Sequence, residues 1–422
     1  MLQVNEAQEL MVAAVKKTPV VTCPLEMAVG RIIAQSHVTR RVLPPWDNSA
    51  MDGFALRIED TFQASESSPV RLRIVDEVAC GDSAEPQKQL SKGEAVRIMT
   101  GAPVPLGANG VVIKEKVMIH PSHGEDEISV RAPVTLQANI RFAGEDVGEN
   151  MIVAEAGSLI TPALLSLLAS AGHTHVAVHE APHVAIIASG SELVPLGQKP
   201  KPHQIVNSNA YAVAAALRAS GARVTVLGIA EDTLEAHAAL LSSAQEADLV
   251  VSIGGVSMGE KDWVRPALKE IGAQQIFWKV AMRPGKPLVF ARRGEQLFVG
   301  LPGNPVSALV GAELFLKPMV RQFSGQAEVF PAPLFATLKN ATPLKKRSDF
   351  CTFFRAQVAV EKEGLNVVAL TKQSSGQISG LAQANALLVT PVGPQLIEPE
   401  TVLPVLMFSS SFLTSPFSLK SK

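Results

Sequence analysis

The chain has 422 residues, 47% of them hydrophobic and 18% charged, and this composition excludes a disordered protein. Because 38 basic residues stand against 39 acidic ones, the net charge of −1 creates no overall field that would attract nucleic acid or an anionic membrane. Three widely spaced cysteines form no disulfide framework or zinc pattern, no signal peptide is evident, and the most apolar stretch, 159–171, is too short to span a bilayer, so we expect a cytoplasmic protein of about two to four domains.

The first part of the chain predicts one helix over 5–16, then a β-rich region, then a second helix. Between 70 and 145 the strand-like runs are short and separated by Gly, Ser and Pro turns: "VRLRIVDEV", "GEAVRIMTG", "NGVVIKEKVMI" and "ISVRAPV". Residues 160–172 have helical spacing, and Gly172 is typical of a helix C-terminus.

The second part alternates strands and helices from 183 to 320 and then becomes strand-rich. The alternation predicts a doubly wound, largely parallel sheet, and the strand-rich region from 327 predicts a small β-domain. The Ser-rich segment 409–422 is typical of a flexible tail. The expected fold class is therefore α/β plus β in a multidomain chain.

The stretch "PPWDNSAMDGFALR" at 44–57 places two carboxylates, Asp47 and Asp52, in a proline-stiffened loop. Asp, Asn, Ser and Gly are ordinary turn residues, so a simple turn is one interpretation. A functional site is the other.

Polar and glycine-rich segments follow the strands of the 183–320 region, and the carboxyl ends of such strands are where ligands bind. In "GGVSMGEKDW" the glycines allow close approach of a ligand, and the helix beginning near Asp262 suits a phosphate. Asp262 is either the N-cap of that helix or, with neighbouring carboxylates, a Mg²⁺ ligand.

The turn "MRPGKPLVF" carries Arg283 and Lys286 between prolines. Two solvated surface cations are one interpretation, and an anion grip on a rigid turn is the other. In "PGNPVSALV", Asn304 and Pro305 are typical of a helix start.

Six motifs together resemble the molybdopterin molybdenumtransferases (the MoeA family), to which the C-terminal part of gephyrin is also similar. They are "PPWDNSAMDGFAL", "RIMTGAPVP", "IRFAGEDV", "GGVSMGEKDW", "MRPGKPLVF" and "GLPGNPVSAL", and they occur in the family's order. The resemblance implies a homodimer whose protomer has a linking domain (1–43 and 145–177), a protruding β-rich domain (44–144), an α/β molybdopterin-binding domain (178–326) and a β-barrel-like domain (327–408). It implies insertion of molybdate into the dithiolene of adenylylated molybdopterin, with Mg²⁺-dependent release of AMP.

The resemblance also implies roles for individual residues. Asp52, Glu192, Asp262 and Lys286 would be catalytic, and the first three would be the candidates for holding Mg²⁺. Substrate binding would fall to Thr100, Arg141, Ser208, Asp232, Gly254, Gly255, Ser257, Gly259, Arg283, Pro302 and Ser375. The cleft would draw on both protomers, so Asp52 would act on the neighbour's α/β domain.

Two other functions stay open. An adenylyltransferase acting on molybdopterin would share the α/β region but would not need the β-domains or the Asp52 loop. A non-enzymatic scaffold would not need the acidic and basic site residues. Transient contacts with a molybdopterin adenylyltransferase and with apoproteins of molybdoenzymes are also expected, and nucleic acid or membrane partners are not.

Overall fold

The computed structural model describes residues 1–81, 89–122, 126–256, 262–362 and 364–408. Within these ranges no helix is both long enough and apolar enough to cross a bilayer.

Two short helices and two strand pairs form the segments that flank the β-rich region, and a third strand pair joins the two ends of that region. Helix α1 is Val4–Ala13 and helix α2 is Pro162–Ser170. The Thr161 side chain accepts a hydrogen bond from Leu164 N at the start of α2, and Gly172, with φ of +90°, follows its end as predicted. The antiparallel pairs are Val20–Pro24 with His175–His179, His37–Val38 with Ile152–Ala154, and Asn48–Ser49 with Ile140–Arg141, with a 3₁₀ turn at Leu25–Met27.

Between these two flanking segments, the chain forms a six-stranded sheet. Its strands, in spatial order, are Gly110–Ile113, Gly53–Leu56, Glu94–Ile98, Val70–Val78, Glu127–Val130 and Val117–His120, with 3₁₀ turns at Ile58–Thr61 and Lys114–Lys116. Alternate residues of its strands enter two small cores, one on each face, as the period of two requires.

The central unit is a second six-stranded sheet with helices on both faces. Its strands, in spatial order, are Arg223–Ala230, His183–Ser189, Leu249–Ile253, Gln296–Leu301, Val289–Arg293 and Gln274–Trp278. The first four are mutually parallel, and Val289–Arg293 is antiparallel to both of its neighbours. The helices are α3 (Ser208–Arg218), α4 (Leu234–Ser243), α5 (Val264–Glu270), α6 (Pro305–Gly311) and α7 (Lys317–Phe323), with a π-helical turn at Ala312–Leu316 between the last two. Val184 and Ile186 lie in the core against α3, α6 and α7, whereas Ala185 and Ile187 lie in the core against α4 and α5. Helix α1 also packs into the first of these cores, through Ala7 and Met11.

The last part of the chain is a closed β-barrel. Its strands are Leu334–Leu338, Cys351–Glu361, Gly364–Ala369, Ala386–Thr390 and Val402–Met407; Met282–Arg283 pairs with the second of them, and helix α8 is Ile378–Gln383. Short pairs join Leu193–Val194 to Ile205–Val206 and Leu344–Lys345 to Leu396–Ile397.

The fold class is confirmed: the chain is multidomain, with a doubly wound α/β unit, a β-rich unit and a C-terminal barrel. The reversed strand Val289–Arg293 is the part of the central sheet that strand and helix alternation did not predict. The domain boundaries given above stay predictions, and the tail 409–422 lies outside the described residues.

Candidate functional site

The Asp52 carboxylate is held at the start of a strand of the first sheet. Its Oδ1 accepts hydrogen bonds from Thr100 N at 2.9 Å and from Thr100 Oγ1 at 2.7 Å, and Lys114 Nζ lies 3.4 Å from Oδ2. The hydrogen bonds from Thr100, the backbone one first, hold the pKa of Asp52 below its ordinary value of 3.8. The next residue, Gly53, has to be glycine, because a Cβ there would lie 2.0 Å from Val112 O. Asp52 is therefore an ionised, half-exposed acceptor in a fixed turn.

Asp47 has a different environment, although it lies in the same loop. Its Oδ1 accepts a hydrogen bond from Ala143 N at 2.8 Å, and its own carbonyl accepts one from Val104 N. Arg141 is exposed in the short strand pair beside it, opposite Asn48. These bonds support the turn interpretation for Asp47.

A large cavity opens at the carboxyl ends of the first strands of the central sheet. It has a volume of about 870 Å³, and its lining includes Gly190, Ser191, Asn207 and Asp232. Ser191 Oγ donates to Asp232 Oδ2 at 2.7 Å. The exposed Glu192 carboxylate folds back over the open face of Gly190, where a Cβ would come within 2.7 Å of both its oxygens. Two carboxylates thus stand at this edge of the sheet.

The glycine loop after Leu249–Ile253 packs on the end of the neighbouring strand. Gly254 and Gly255 have φ of +97° and +65°, and a Cβ on Gly254 would lie 2.6 Å from Ser189 O. Ser189 Oγ is in turn held by the buried His237 Nε2 at 2.7 Å. The loop can therefore lie this close to the strand only because glycine occupies these positions.

Three further residues of this loop were predicted as site residues: Ser257, Gly259 and Asp262. Ser257 and Gly259 lie outside the described residues. Helix α5 begins at Val264 with Trp263 as its N-cap, so the interpretation of Asp262 as the N-cap is wrong. Asp262 lies just before the helix, where it is partly exposed.

Ser208 and Pro302 lie at two neighbouring strand and helix ends. Ser208 is the exposed first residue of α3. Pro302 is buried after a strand whose last residue, Leu301, accepts a hydrogen bond from Gly254 N at 2.9 Å. Asn304 is the N-cap of α6, as predicted, but its side chain makes no capping hydrogen bond.

A second cavity, of about 700 Å³, lies between the central unit and the barrel and is rich in cations. Its lining includes Arg283, Lys286, Lys345, Lys346 and Arg347. Ser307 of α6 and Ser375 also line it, as does the strand segment 352–354. The structure thus brings the predicted residues Arg283, Lys286 and Ser375 together in one place, which we call the basic cavity.

Buried hydrogen bonds fix the wall of the basic cavity that contains Ser375. Arg355, only 1% exposed, donates to the carbonyls of Lys372 and Ser374. Gln373 bonds back to both backbone groups of Arg355, and Val306 N in α6 donates to Ser375 O at 3.1 Å. The barrel, the 372–375 turn and α6 are therefore tied together around the cavity.

Thr352 is the one lining residue whose buried side-chain polar atom has no hydrogen-bond partner among the described residues. It is 6% exposed and pairs with Arg283 across two parallel strands. Strand alternation places it on the same face as Phe354, which also lines the cavity. Buried hydroxyls nearly always have a partner, so Thr352 is an exception among the described residues that line this cavity.

Sequence reasoning missed three features of these sites. Lys114 beside Asp52 had no local signal. The basic run Lys345–Arg347 was visible in "LKKRSDF" but was not interpreted as a site, and Thr352 could not be told from any strand threonine.

Within one chain, the predicted residues Asp52 and Thr100 of the first sheet remain separate from the predicted residues of the central unit and the barrel. The side-chain bonds given for Asp52 all go to Thr100 and Lys114, within the first sheet region. In the part of the chain that is described, no group of three or more His, Cys, Asp or Glu side chains could form a metal centre.

Three family models match consecutive parts of the chain. They are the MoeA N-terminal region (domains I and II) over residues 2–172, the probable molybdopterin-binding domain over 185–322, and the MoeA C-terminal region (domain IV) over 337–408.

Whole-chain similarities agree with these models. A molybdopterin molybdenumtransferase of Staphylococcus aureus strain Mu50 is 33% identical over 393 residues, which covers 93% of this chain and 92% of the relative. One from Staphylococcus epidermidis strain ATCC 12228 is 32% identical over 388 residues, covering 92% and 91%. The crystal structure of the molybdopterin biosynthesis MoeA protein from Pyrococcus horikoshii OT3 superposes with a TM-score of 0.81 at 27% identity, over 96% of this chain and 100% of that one.

Proposed function

This chain belongs to the molybdopterin molybdenumtransferase family and acts in molybdenum cofactor biosynthesis, and we propose that it inserts molybdate into the dithiolene of adenylylated molybdopterin with release of AMP. The observation that carries the proposal is the basic cavity, together with its Thr352 hydroxyl, which has no hydrogen-bond partner among the described residues.

Molybdate is a tetrahedral dianion, and the basic cavity has the chemistry to bind one. Arg283 and Lys286 stand on a turn stiffened by prolines, and Lys345–Arg347 face the same space. Ammonium and guanidinium groups form strong charge-assisted hydrogen bonds to oxyanions, and Arg can do so through two parallel bonds. The Thr352 hydroxyl would supply a neutral donor beneath them. We therefore assign molybdate to this cavity.

The loops at the carboxyl ends of the central strands suit the pterin and the pyrophosphate. The Gly254–Gly255 turn lies at this sheet edge with both residues at positive φ, and the large neighbouring cavity carries Ser191 and Asp232. We propose that Ser208 and Pro302 also contribute here, with Arg141 and Ser375 at the edges of the cleft.

Mg²⁺ would be held by Glu192 and Asp262. Protein Mg²⁺ sites need only one or two carboxylates when substrate phosphates supply the remaining ligands, and both carboxylates belong to loops at this sheet edge. Bound there, the ion would neutralise charge on the pyrophosphate. Asp52 is less suited to holding the ion, because Lys114 already faces its second carboxylate oxygen, Oδ2.

Asp52 would reach the reaction from the neighbouring protomer of a homodimer. Its ionised carboxylate, fixed by Thr100, is a suitable acceptor for a hydrogen bond from a water during the displacement. Light scattering tests this arrangement, since a monomer in solution would contradict a cleft shared between protomers.

The proposed reaction balances without electron transfer. Two thiols replace one oxo group of molybdate, which leaves as water with the two thiol protons, and molybdenum stays hexavalent. A second water attacks the pyrophosphate bond, and AMP leaves. Lys286 and Arg283 would stabilise the anionic charge of molybdate and of the phosphate during these steps.

A reconstitution with adenylylated molybdopterin, molybdate and Mg²⁺ tests the proposal by following AMP release and active cofactor together. We expect Lys286→Met to lose both activities and Lys339→Met, a barrel lysine paired with Glu400, to keep them. Equal activity of the two variants would remove the basic cavity from the reaction. Incubation with molybdopterin and ATP separates adenylyltransfer, and binding without turnover in both assays would identify a scaffold.

A further inference from the structure

Arg347 and Asp349 form an ion pair at the edge of the basic cavity. Arg347 Nε lies 3.1 Å from Asp349 Oδ1, and Nη2 lies 2.9 Å from Oδ2, so the contact is bidentate. The two side chains are 60% and 53% exposed. Arg347 lines the cavity. Its guanidinium is thus held by a carboxylate that offers nearly the same two-oxygen geometry as an oxyanion.

A second cation, Lys286, lies near the same aromatic ring as Arg347. The Arg347 guanidinium carbon lies 4.8 Å from the centre of the Phe350 ring, and Lys286 Nζ lies 5.5 Å from it. The pKa of Asp349 is lowered first by the hydrogen bonds from Arg347 and also by the charge of Lys286. Asp349 is therefore ionised and interacts with two cations that the cavity needs for a dianion.

We propose that Asp349 is an internal competitor for the molybdate site: it holds Arg347 in the empty protein, and an entering oxyanion takes the guanidinium over. This inference rests on the proposed function of the basic cavity. Asp349 thereby sets how tightly the cavity binds its anion, and Arg347 is the residue that changes partner.

The energetics of exposed ion pairs make this exchange feasible. Exposed pairs contribute little because water and salt screen them, so a dianion with further partners in the cavity can displace one carboxylate. When the anion leaves or is consumed, Asp349 recovers Arg347. The guanidinium is then never left without a counter-charge, and release is faster than from a cavity lined by free cations.

The test is a double-mutant cycle in anion binding to the full-length protein, measured by calorimetry with molybdate and, separately, with inorganic sulfate. We expect Asp349→Asn to tighten binding roughly two- to fivefold, the range that an exposed pair supports. Arg347→Gln should weaken binding. In the Arg347→Gln background, Asp349→Asn should then have no further effect.

The cycle separates competition for Arg347 from a general field effect. If Asp349→Asn tightens binding equally with and without Arg347, or does not tighten it at all, the proposal is overturned. Glu127→Gln removes a partly exposed carboxylate that pairs with Arg71 in the first sheet, and it should leave anion binding unchanged. If sulfate follows the cycle but molybdate does not bind, the competitor stands and the molybdate assignment falls; if neither anion binds, both fall.

Discussion

Replacing Thr352 by Val should raise the stability of the empty protein and weaken its affinity for molybdate. The hydroxyl is buried and has no partner in the part of the chain that the structure describes, and leaving such a group unsatisfied costs about 1–3 kcal/mol. Valine has nearly the same shape and no polar atom, so we expect the barrel to gain about 1 kcal/mol at the low end of that range. If the hydroxyl donates to bound molybdate, the lost bond to a charged group is worth about 1.5–3 kcal/mol, or roughly a 10- to 100-fold weaker affinity.

Thr390 provides the matched control. It is the cross-strand neighbour of Thr352, is also buried, and donates through Oγ1 to Thr352 O at 2.9 Å. Thr390→Val should therefore lose about 1 kcal/mol of stability and keep its molybdate affinity, the opposite pattern to Thr352→Val.

Hydrogen exchange of the barrel strands measures the local stability, which melting of a multidomain chain does not isolate. Calorimetric titration with molybdate measures the affinity. Thr352→Val with lower stability and unchanged affinity would refute the reasoning, because the hydroxyl would then have a partner within the protein.

Three further predictions concern other parts of the molecule. Gly254→Ala should destabilise the glycine loop by about 1–3 kcal/mol and reduce AMP release, since its Cβ would lie 2.6 Å from Ser189 O; unfolding and turnover equal to the unsubstituted protein would contradict this. At pH 8, mass mapping after alkylation should find exposed Cys80 modified and Cys351 intact, because burial raises the pKa of Cys351 to about 11 and leaves roughly one thiol in a thousand ionised. Asp52→Asn should lower cofactor formation by about tenfold or more. Because the pKa of Asp52 is depressed, its ionised form and its contribution to activity are lost only as the pH falls below 3.8. An Asp52-dependent loss of activity near pH 6 would show that the hydrogen bonds from Thr100 do not hold its pKa down.

The order of motifs and the spacing of apolar residues were enough to predict the family and the fold class. The alternation of strand and helix patterns from 183 to 320 identified the doubly wound unit. This was possible because the hydrophobic period that distinguishes a strand from a helix depends on residues close together in the sequence. The predicted residues Arg283, Lys286 and Ser375 were found together in one cavity. The order of the motifs predicted these three residues as site residues but did not indicate that they line the same cavity.

Tertiary contacts decided the roles that local sequence left open. Asp47 and Asp52 are five positions apart and equally suited to a turn, yet one accepts from Ala143 N and the other from Thr100 and Lys114. The basic cavity likewise joins a turn of the central unit to barrel residues far along the chain. Helical and strand periods are local properties that a sequence contains in full. A carboxylate's partners and a hydroxyl's lack of one depend on which distant segments pack together, and only the folded chain determines that.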